Sequence, residues 1–340
     1  MFRVNAPQAV LLQLLDSSRK GGTPLGHLNM RKPIIVLLGP TASGKTEVAL
    51  SLAKKVNAEI ISADSMQVYK YLNIGTAKPS RRIRQTIPHH LIDIKYPDEE
   101  FSAGEFQLRA IKAIEKIFKK EKLPILIGGT ALYIRTITDG ICPIPSRNDK
   151  VRKHLSQLAK KYGRSYLYKR LGKIDKKACE KIHPNNLKRI IRALEIYSLT
   201  KIPFSAWQDR RYSLPYPIIT FGLDWERNLV YERIGRRVDE MVKEGLIGEV
   251  KKLLTKGYSK RLNSLQGLGY RQAIEFLEGK YDRERMKYLI KRDTRRYAKR
   301  QLTWWRKDGR IHWIKMDEGK KAKEVAGEIK NICQRKRFLV

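Results

Sequence analysis

The sequence predicts an α/β fold, a parallel sheet flanked by helices and interrupted by a helical insertion. Three observations predict it. Apolar runs of strand length alternate with stretches of helical period, as in sheets built from βαβ units. The first run, Ile34-Ile35-Val36-Leu37-Leu38, feeds directly into Gly39-Pro40-Thr41-Ala42-Ser43-Gly44-Lys45-Thr46, and a helix-like stretch, 47–53, follows. From Pro143-Ile144-Pro145 to about residue 205 the strand pattern stops, and several helices rich in Lys and Arg replace it. The expected organisation is a P-loop NTPase-like core over 31–142 and 213–325, with a helical insertion domain at 143–212 that contacts the partner. A leader (1–30) and a basic tail (326–340) flank it.

The turn at 39–46 has the spacing G-x-x-x-x-G-K-[ST] between a strand and a helix, the context that motif requires. Its glycines let the backbone curl so that successive N–H groups face one phosphate, and the helix N-terminus adds positive potential. Lys45 then reaches a further phosphate oxygen, and the Thr46 hydroxyl holds Mg²⁺. The alternative is an ordinary glycine turn.

The second run, 58–62, ends on Ala63-Asp64-Ser65. A carboxylate at the C-terminal end of a strand in an open α/β sheet lies where ligands bind, so Asp64 is expected on the same rim as the P-loop. A capping role, or an outer position around magnesium, is its alternative. Asn73 to Pro79 reads as a loop rich in breakers, and Pro88 to Ile94 as a third strand. His89 and His90 are adjacent, so they point to opposite faces of a strand and are expected to be structural or surface residues, not metal ligands.

An amphipathic basic helix, Ser102 to Lys120, leads to a fourth strand that stops on Gly128-Gly129-Thr130, where a backbone can approach a ligand closely. Neither this strand nor its neighbour ends in the apolar-run-then-Asp pattern of a nucleotide hydrolase. Asp93 comes nearest, but it sits inside the expected third strand.

Within the insertion, His183-Pro184-Asn185-Asn186 caps a helix whose apolar stripe is Leu187, Ile190, Ile191 and Leu194, with Lys188, Arg189 and Arg192 largely off it. Pro217 to Leu223 returns to strand. Leu229 to Leu254 reads as one helix or a pair and carries Arg233, Arg236 and Arg237, and Leu265 to Arg271 is a glycine-punctuated loop. The densest charge, 291–306, sets Arg292, Arg295, Arg296, Lys299 and Arg306 on a broad helical face, offset only by Asp293. A solvated face normally mixes signs, so binding to a phosphate backbone is the better reading.

Composition agrees. The 340 residues hold 72 Lys and Arg against 34 Asp and Glu, a net charge of +38, which points to a polyanionic partner unless basic residues simply decorate every surface. Hydrophobic content of 41% is ordinary for a globular protein, and no apolar run approaches a membrane span. Three dispersed cysteines, Cys142, Cys179 and Cys333, exclude a disulfide framework and a zinc finger and fit a reducing cytoplasm. In the first 29 residues the charges Arg19-Lys20 follow the apolar Val10–Leu15, the wrong order for a signal peptide. An organellar transit segment, a mis-set start before Met30 and a disordered extension remain the alternatives.

Together these residues resemble the bacterial tRNA dimethylallyltransferases, also called tRNA isopentenyltransferases. The resemblance is carried in order by Gly39–Thr46, Ser62-Ala63-Asp64-Ser65-Met66-Gln67-Val68-Tyr69, Ile74-Gly75-Thr76-Ala77-Lys78-Pro79 and Pro88–Asp93. It continues through Gly128-Gly129-Thr130-Ala131-Leu132-Tyr133, His183-Pro184-Asn185, Gly269-Tyr270-Arg271 and Thr294–Gln301, and spans about 31–318. It implies transfer of a dimethylallyl group from dimethylallyl diphosphate to N6 of the adenosine just 3′ of a tRNA anticodon. The P-loop then cradles the donor's diphosphate with Mg²⁺ on Thr46, and Asp64 is the base that takes the amine proton. Lys45, Thr46 and Arg237 stabilise the leaving group. The target base leaves the anticodon-loop stack, and the partner is the tRNA anticodon stem-loop.

The resemblance also places tRNA contacts at Asp64, Ser65, Met66 and Gln67, at Thr130 and Arg152, and at Lys188, Arg189, Ile190, Ile191 and Arg192. Further contacts fall at Gln266, Gly267, Leu268, Gly269, Tyr270 and Arg271, and at Thr294, Arg295, Arg296, Tyr297, Ala298, Lys299, Arg300 and Gln301. Gly267 stands where relatives often carry another small residue, and the zinc finger of eukaryotic relatives is missing. A cytoplasmic monomer is expected. The competing readings are a P-loop kinase that binds ATP and phosphorylates a nucleotide or metabolite, and a non-catalytic RNA-binding protein with no use for Asp64.

Overall fold

The structure is a computed structural model that describes residues 32–140, 144–145, 147–208, 214–336 and 338. The expectations for the 1–30 leader and for Cys142 lie outside the described residues. The described residues divide into two compact units, one within Asp139–Leu214 and the other made of the described residues up to Thr138 and from Pro215 onward.

In the larger unit, β1 (Ile34–Leu38) leads through the P-loop to α1 (Lys45–Lys55) and β2 (Ala58–Ser62). Then come α2 (Arg81–Thr86), β3 (His89–His90), α3 (Ala103–Lys119), β4 (Leu123–Ile127) and α4 (Ala131–Thr138). The six strands of the sheet are all parallel, in the order β3-β2-β4-β1, then β5 (Ile218–Trp225) and β6 (Ile311–Met316). Every residue of β1, β2 and β4 is buried, as expected of strands covered on both faces by helices. The register sets Val36 beside Leu126 and Thr220, and Ile61 beside Leu126, so β1, β4 and β2 end together along one rim.

The smaller unit holds α5 (Asp149–Tyr162), α6 (Arg164–Ile174), α7 (Lys176–Lys181), α8 (Leu187–Thr200) and α9 (Phe204–Gln208), with no strand among its described residues. Its core includes Leu155, Leu167, Leu171, Ile190 and Leu194. The Asn186 side chain caps α8 by accepting from Arg189 N, as the sequence suggested. Glu195 is fully buried and accepts from Asn148 N (2.6 Å), Arg152 Nε (2.9 Å) and Arg192 Nη1 (2.8 Å).

The chain then returns to the larger unit through β5, α10 (Arg227–Lys243), α11 (Leu246–Thr255), a 3₁₀ turn (Asn263–Gln266), α12 (Tyr270–Leu277), α13 (Arg283–Trp305), β6 and α14 (Ala322–Arg335). The stretch Leu229–Leu254 is therefore two helices, broken at Gly245, whose φ of 102° is a left-handed conformation. The glycine-punctuated loop at 265–271 is partly the 3₁₀ turn and partly the first turn of α12.

Two further expectations are corrected. The third strand is only His89–His90, because Leu91 (φ 65°) and Asp93 (φ 56°) turn the chain into the left-handed region. Asp93 is thus not a strand residue; it pairs with Lys78 (2.6 Å) and Arg84 (2.7 Å). The region expected as a basic tail forms most of α14, which buries Val325, Ala326, Ile329 and Cys333 and packs on α1.

Candidate active site

The sheet rim where β1, β4 and β2 end carries the P-loop, the Gly128-Gly129 turn and Asp64. They open on one cleft of about 540 Å³, lined also by residues of α10 and α13. This is the crevice at the carboxyl ends of parallel strands where ligands bind in open α/β sheets.

The P-loop reverses through Ala42 (φ 64°) and Gly44 (φ 83°) into the start of α1, so the first N–H groups of that helix face the cleft. Two distant side chains, which also stack on each other, pin it. Trp225 Nε1 donates to Ser43 O (3.0 Å), Arg233 Nε donates to Ala42 O (2.8 Å), and the Arg233 guanidinium lies 4.5 Å from the Trp225 ring centre. Gln301 of α13 accepts from Thr41 N (2.9 Å) and donates to Gly129 O (2.9 Å), bridging the P-loop to the turn after β4.

Lys45 folds over the loop. Its Nζ donates to Pro40 O (2.6 Å) and Gly39 O (2.9 Å) and approaches Ser43 Oγ (3.4 Å). Burial, reinforced by the nearby Arg237 charge, brings its ammonium down to about 7 from the usual lysine value, and Asp64 and Glu47 oppose the shift. Arg237 donates to Thr41 Oγ1 (3.3 Å), and its own value is lowered by burial.

Asp64 Oδ1 accepts from Met66 N (2.8 Å) and Gln67 N (3.2 Å), so the carboxylate does cap the following turn while facing the cleft. Its Oδ2 accepts no hydrogen bond from a described residue. Gln67 is held in turn by Ser62 Oγ (2.9 Å) and reaches Thr76 O (3.2 Å) in the opposite wall. Tyr297 lines the cleft too. Burial, helped by the Asp64 charge, raises its phenol to about 12, so it stays a neutral donor.

The structure therefore gathers Lys45, Thr46, Asp64 and Arg237 into one cleft. The residues matched to tRNA contacts are more scattered. Ile190, Ile191, Tyr270 and Ala298 are buried packing residues, so their side chains face no ligand, and Gln301 is committed to the P-loop bridge. Arg152 and Arg192 neutralise the buried Glu195. Thr130 Oγ1 accepts from Ser65 N (3.1 Å). Lys188, Arg189, Gln266, Arg271, Arg295, Arg296, Lys299 and Arg300 remain exposed. Arg292, Arg295, Arg296 and Lys299 line a second, basic groove of about 370 Å³ with Arg227 and Tyr231 of α10.

Sequence reasoning named Arg233 only as a helix cation, without its P-loop partner, and missed Glu249, which accepts from Asn73 N (3.0 Å) and Ile74 N (2.9 Å). A basic or acidic residue at ordinary helical spacing gives no signal of a partner far away in the chain.

Comparison with known proteins shows a likeness that runs along most of the chain. The IPP transferase family model matches residues 67–308. A tRNA dimethylallyltransferase of Carboxydothermus hydrogenoformans is 49% identical over 302 residues, 88% of this chain and 96% of that protein. One from Acetivibrio thermocellus is 46% identical over 293 residues, 84% of this chain and 92% of that protein. Among solved structures, the full-length tRNA isopentenylpyrophosphate transferase of Bacillus halodurans superimposes with a TM-score of 0.66 at 41% identity, over 90% of this chain and 98% of that one. A eukaryotic dimethylallyltransferase acting on tRNA gives a TM-score of 0.73 at 28% identity, over 90% of this chain and 77% of that one.

Proposed function

The chain belongs to the tRNA dimethylallyltransferase family, and from that premise we propose that its P-loop cleft holds dimethylallyl diphosphate while Asp64 deprotonates the acceptor adenosine. Like its relatives it is a prenyltransferase of tRNA. The acceptor we assign is N6 of the adenosine 3′-adjacent to the anticodon, presented by the anticodon stem-loop in a cytoplasmic, monomeric enzyme.

In this reading the α1 N-terminus and the P-loop N–H groups take the diphosphate, with Lys45 and Arg237 beside it. Attack of N6 on C1 of the donor forms the C–N bond and breaks the C1–O bond, and diphosphate leaves with the bonding pair. The exocyclic amine is a poor nucleophile because its lone pair is delocalised into the ring. Asp64 Oδ2 takes its proton as the bond forms, and Oδ1 stays fixed by two backbone donors. Charge gathering on the departing diphosphate meets Lys45 and Arg237 in a partly buried setting, where such contacts are worth most.

Magnesium fits the oxygen donors present, since Thr46, Glu47 and Asp64 line the same cleft. Thr46 would hold it together with diphosphate oxygens, and when bound it neutralises charge on the leaving group. The exposed cations Lys188, Arg189, Arg295, Arg296, Lys299 and Arg300 are the groups we assign to tRNA phosphates.

The observation that carries this reading is the convergence of Asp64 with Lys45, Thr46 and Arg237 on one cleft. Asp64→Asn tests it. The variant should bind tRNA and dimethylallyl diphosphate as the parent does while single-turnover prenylation falls about 10²–10⁴-fold. Undiminished turnover would remove Asp64 as the base.

A further inference from the structure

One wall of the cleft is the 73–79 loop, which contributes Ile74, Thr76, Ala77, Lys78 and Pro79 to the lining. It has no regular secondary structure, and Ala77 sits at φ 45°, a conformation that persists only where the surroundings impose it. Lys78 ties the end of the loop to Asp93 and Tyr69 O, and a distant side chain ties its start. Glu249 of α11 lies some 175 residues away in sequence and accepts from three successive backbone donors: Asn73 N (3.0 Å), Ile74 N (2.9 Å) and Gly75 N (3.4 Å). The Tyr270 hydroxyl donates to the same carboxylate at 2.6 Å. Tyr270 is wholly buried, and its ring packs so closely on the loop that a Cβ at residue 75 would lie 2.5 Å from it. Residue 75 is accordingly glycine. Burial and the Glu249 charge push the Tyr270 phenol far up, so it remains a donor at any working pH.

The loop passes this constraint on. Thr76 O accepts from Gln67 Nε2 (3.2 Å), Ser62 Oγ holds the Gln67 carbonyl (2.9 Å), and Gln67 N is one of the two donors that orient Asp64 Oδ1. Hydrogen bonds joined by the loop backbone and by Gln67 itself thus link α11, through the cleft wall, to the carboxylate assigned as base.

We propose that Glu249 is a positioning residue for prenyl transfer: paired with Tyr270, it fixes the 73–79 wall and, through Gln67, the aim of the Asp64 carboxylate. The inference rests on the reading of Asp64 as the base. A displacement of about 1 Å in a reacting group costs roughly 10²-fold in rate. Glu249→Gln would turn an amide N–H₂ toward backbone donors, loosening the wall with almost no change in volume.

The test uses the full-length chain, with tRNA and dimethylallyl diphosphate each saturating, and follows single-turnover rate constants from pH 5 to 9. Glu249→Gln should keep a circular-dichroism spectrum and tRNA Kd within twofold of the parent. Its transfer rate should fall about 10–10²-fold, and the acid limb of its pH–rate profile should move, because the base sits in altered surroundings. Tyr270→Phe should do the same more mildly, and adding it to Glu249→Gln should cost little more, since both act on one contact. A folding role alone would lower the active fraction and leave the pH profile of the remaining enzyme in place.

Asp64→Asn is measured alongside. If Asp64→Asn is inactive while Glu249→Gln has parental rates and profile, the inference falls and the reading of Asp64 stands. If Asp64→Asn turns over normally, the reading falls and the inference with it. Independent, additive losses for Glu249→Gln and Tyr270→Phe would also overturn it.

Discussion

The buried lysine of the P-loop makes a quantitative statement about donor binding. Lys45 titrates at about 7 in the free protein, chiefly because burial penalises its charged form and Arg237 adds to that penalty. If, as proposed, the donor's diphosphate seats beside it, the ammonium is favoured, its pKa rises on binding, and donor binding above pH 7 takes up a proton. If only the protonated lysine binds, the apparent Kd stays flat below pH 7 and rises tenfold per pH unit above it. Against the low-pH plateau, the loss at pH 9 reaches about 10²-fold, or about 2.7 kcal/mol at 1.36 kcal/mol per unit. A phosphate's last proton leaves at about pH 6, below this window, so the donor's own ionisation does not produce the slope.

Calorimetric titration of dimethylallyl diphosphate, in two buffers of different ionisation enthalpy, reads both quantities. The parent should take up about half a proton at pH 7 and about one at pH 8.5. In Lys45→Arg the guanidinium stays charged across the range, so the pH slope and the uptake should both vanish even where affinity is lower. Flat affinity from pH 6 to 9 without proton uptake by the parent would refute the account of Lys45 as a buried, readily discharged ammonium.

Two further outcomes follow from charges elsewhere. Neutralising Arg295, Arg296 and Lys299 should flatten the salt dependence of tRNA affinity by about 0.7 log unit per log[salt] for each real single-strand phosphate contact, and filter binding from 50 to 300 mM salt would show an unaltered slope if that face is only solvated. Glu59, buried beneath His90 (2.7 Å), Lys120 (3.0 Å) and Lys122 (3.2 Å), has its carboxyl held down to about 2 by these three partners against the opposing effect of burial. A depressed carboxylate contributes stability that is intact above about pH 4.5 and lost as the pH falls towards 2. Glu59→Gln should therefore cost about 3 kcal/mol near neutrality in urea unfolding, and little by pH 2.

What could be read from the sequence was local in the chain. The P-loop is a run of eight residues between a strand and a helix, and Asp64 ends the next apolar run. Both are specified by neighbours in sequence, and both lie on the predicted rim. The third strand was overestimated because its shortening is tertiary. Lys78 and Arg84 hold Asp93 in a left-handed turn that no propensity at 88–94 announces. Tyr270 and Ile190 matched tRNA-contact motifs by position, yet both are buried. A motif match preserves residues that support a binding loop together with those that touch the ligand, and burial separates the two. Arg233, Gln301 and Glu249 act on backbone groups far away in the chain, so only the assembled sheet brings them into view.

The long helix α13 then acquires a meaning that its charge alone did not give. Tyr297 and Gln301, one turn apart, face the cleft, and Gln301 clamps the helix to the P-loop and to the turn after β4. Arg292, Arg295, Arg296 and Lys299 face the basic groove on its other side. A rigid helix gripped on one face by the P-loop transmits any placement made on its other face without slack. If tRNA phosphates seat in that groove, the distance from the RNA backbone to the donor's C1 is set by helix geometry and not by a flexible loop. Entropy lost in aligning acceptor with donor is then met when tRNA binds, before the bond-forming step, which is where oriented binding contributes most to rate.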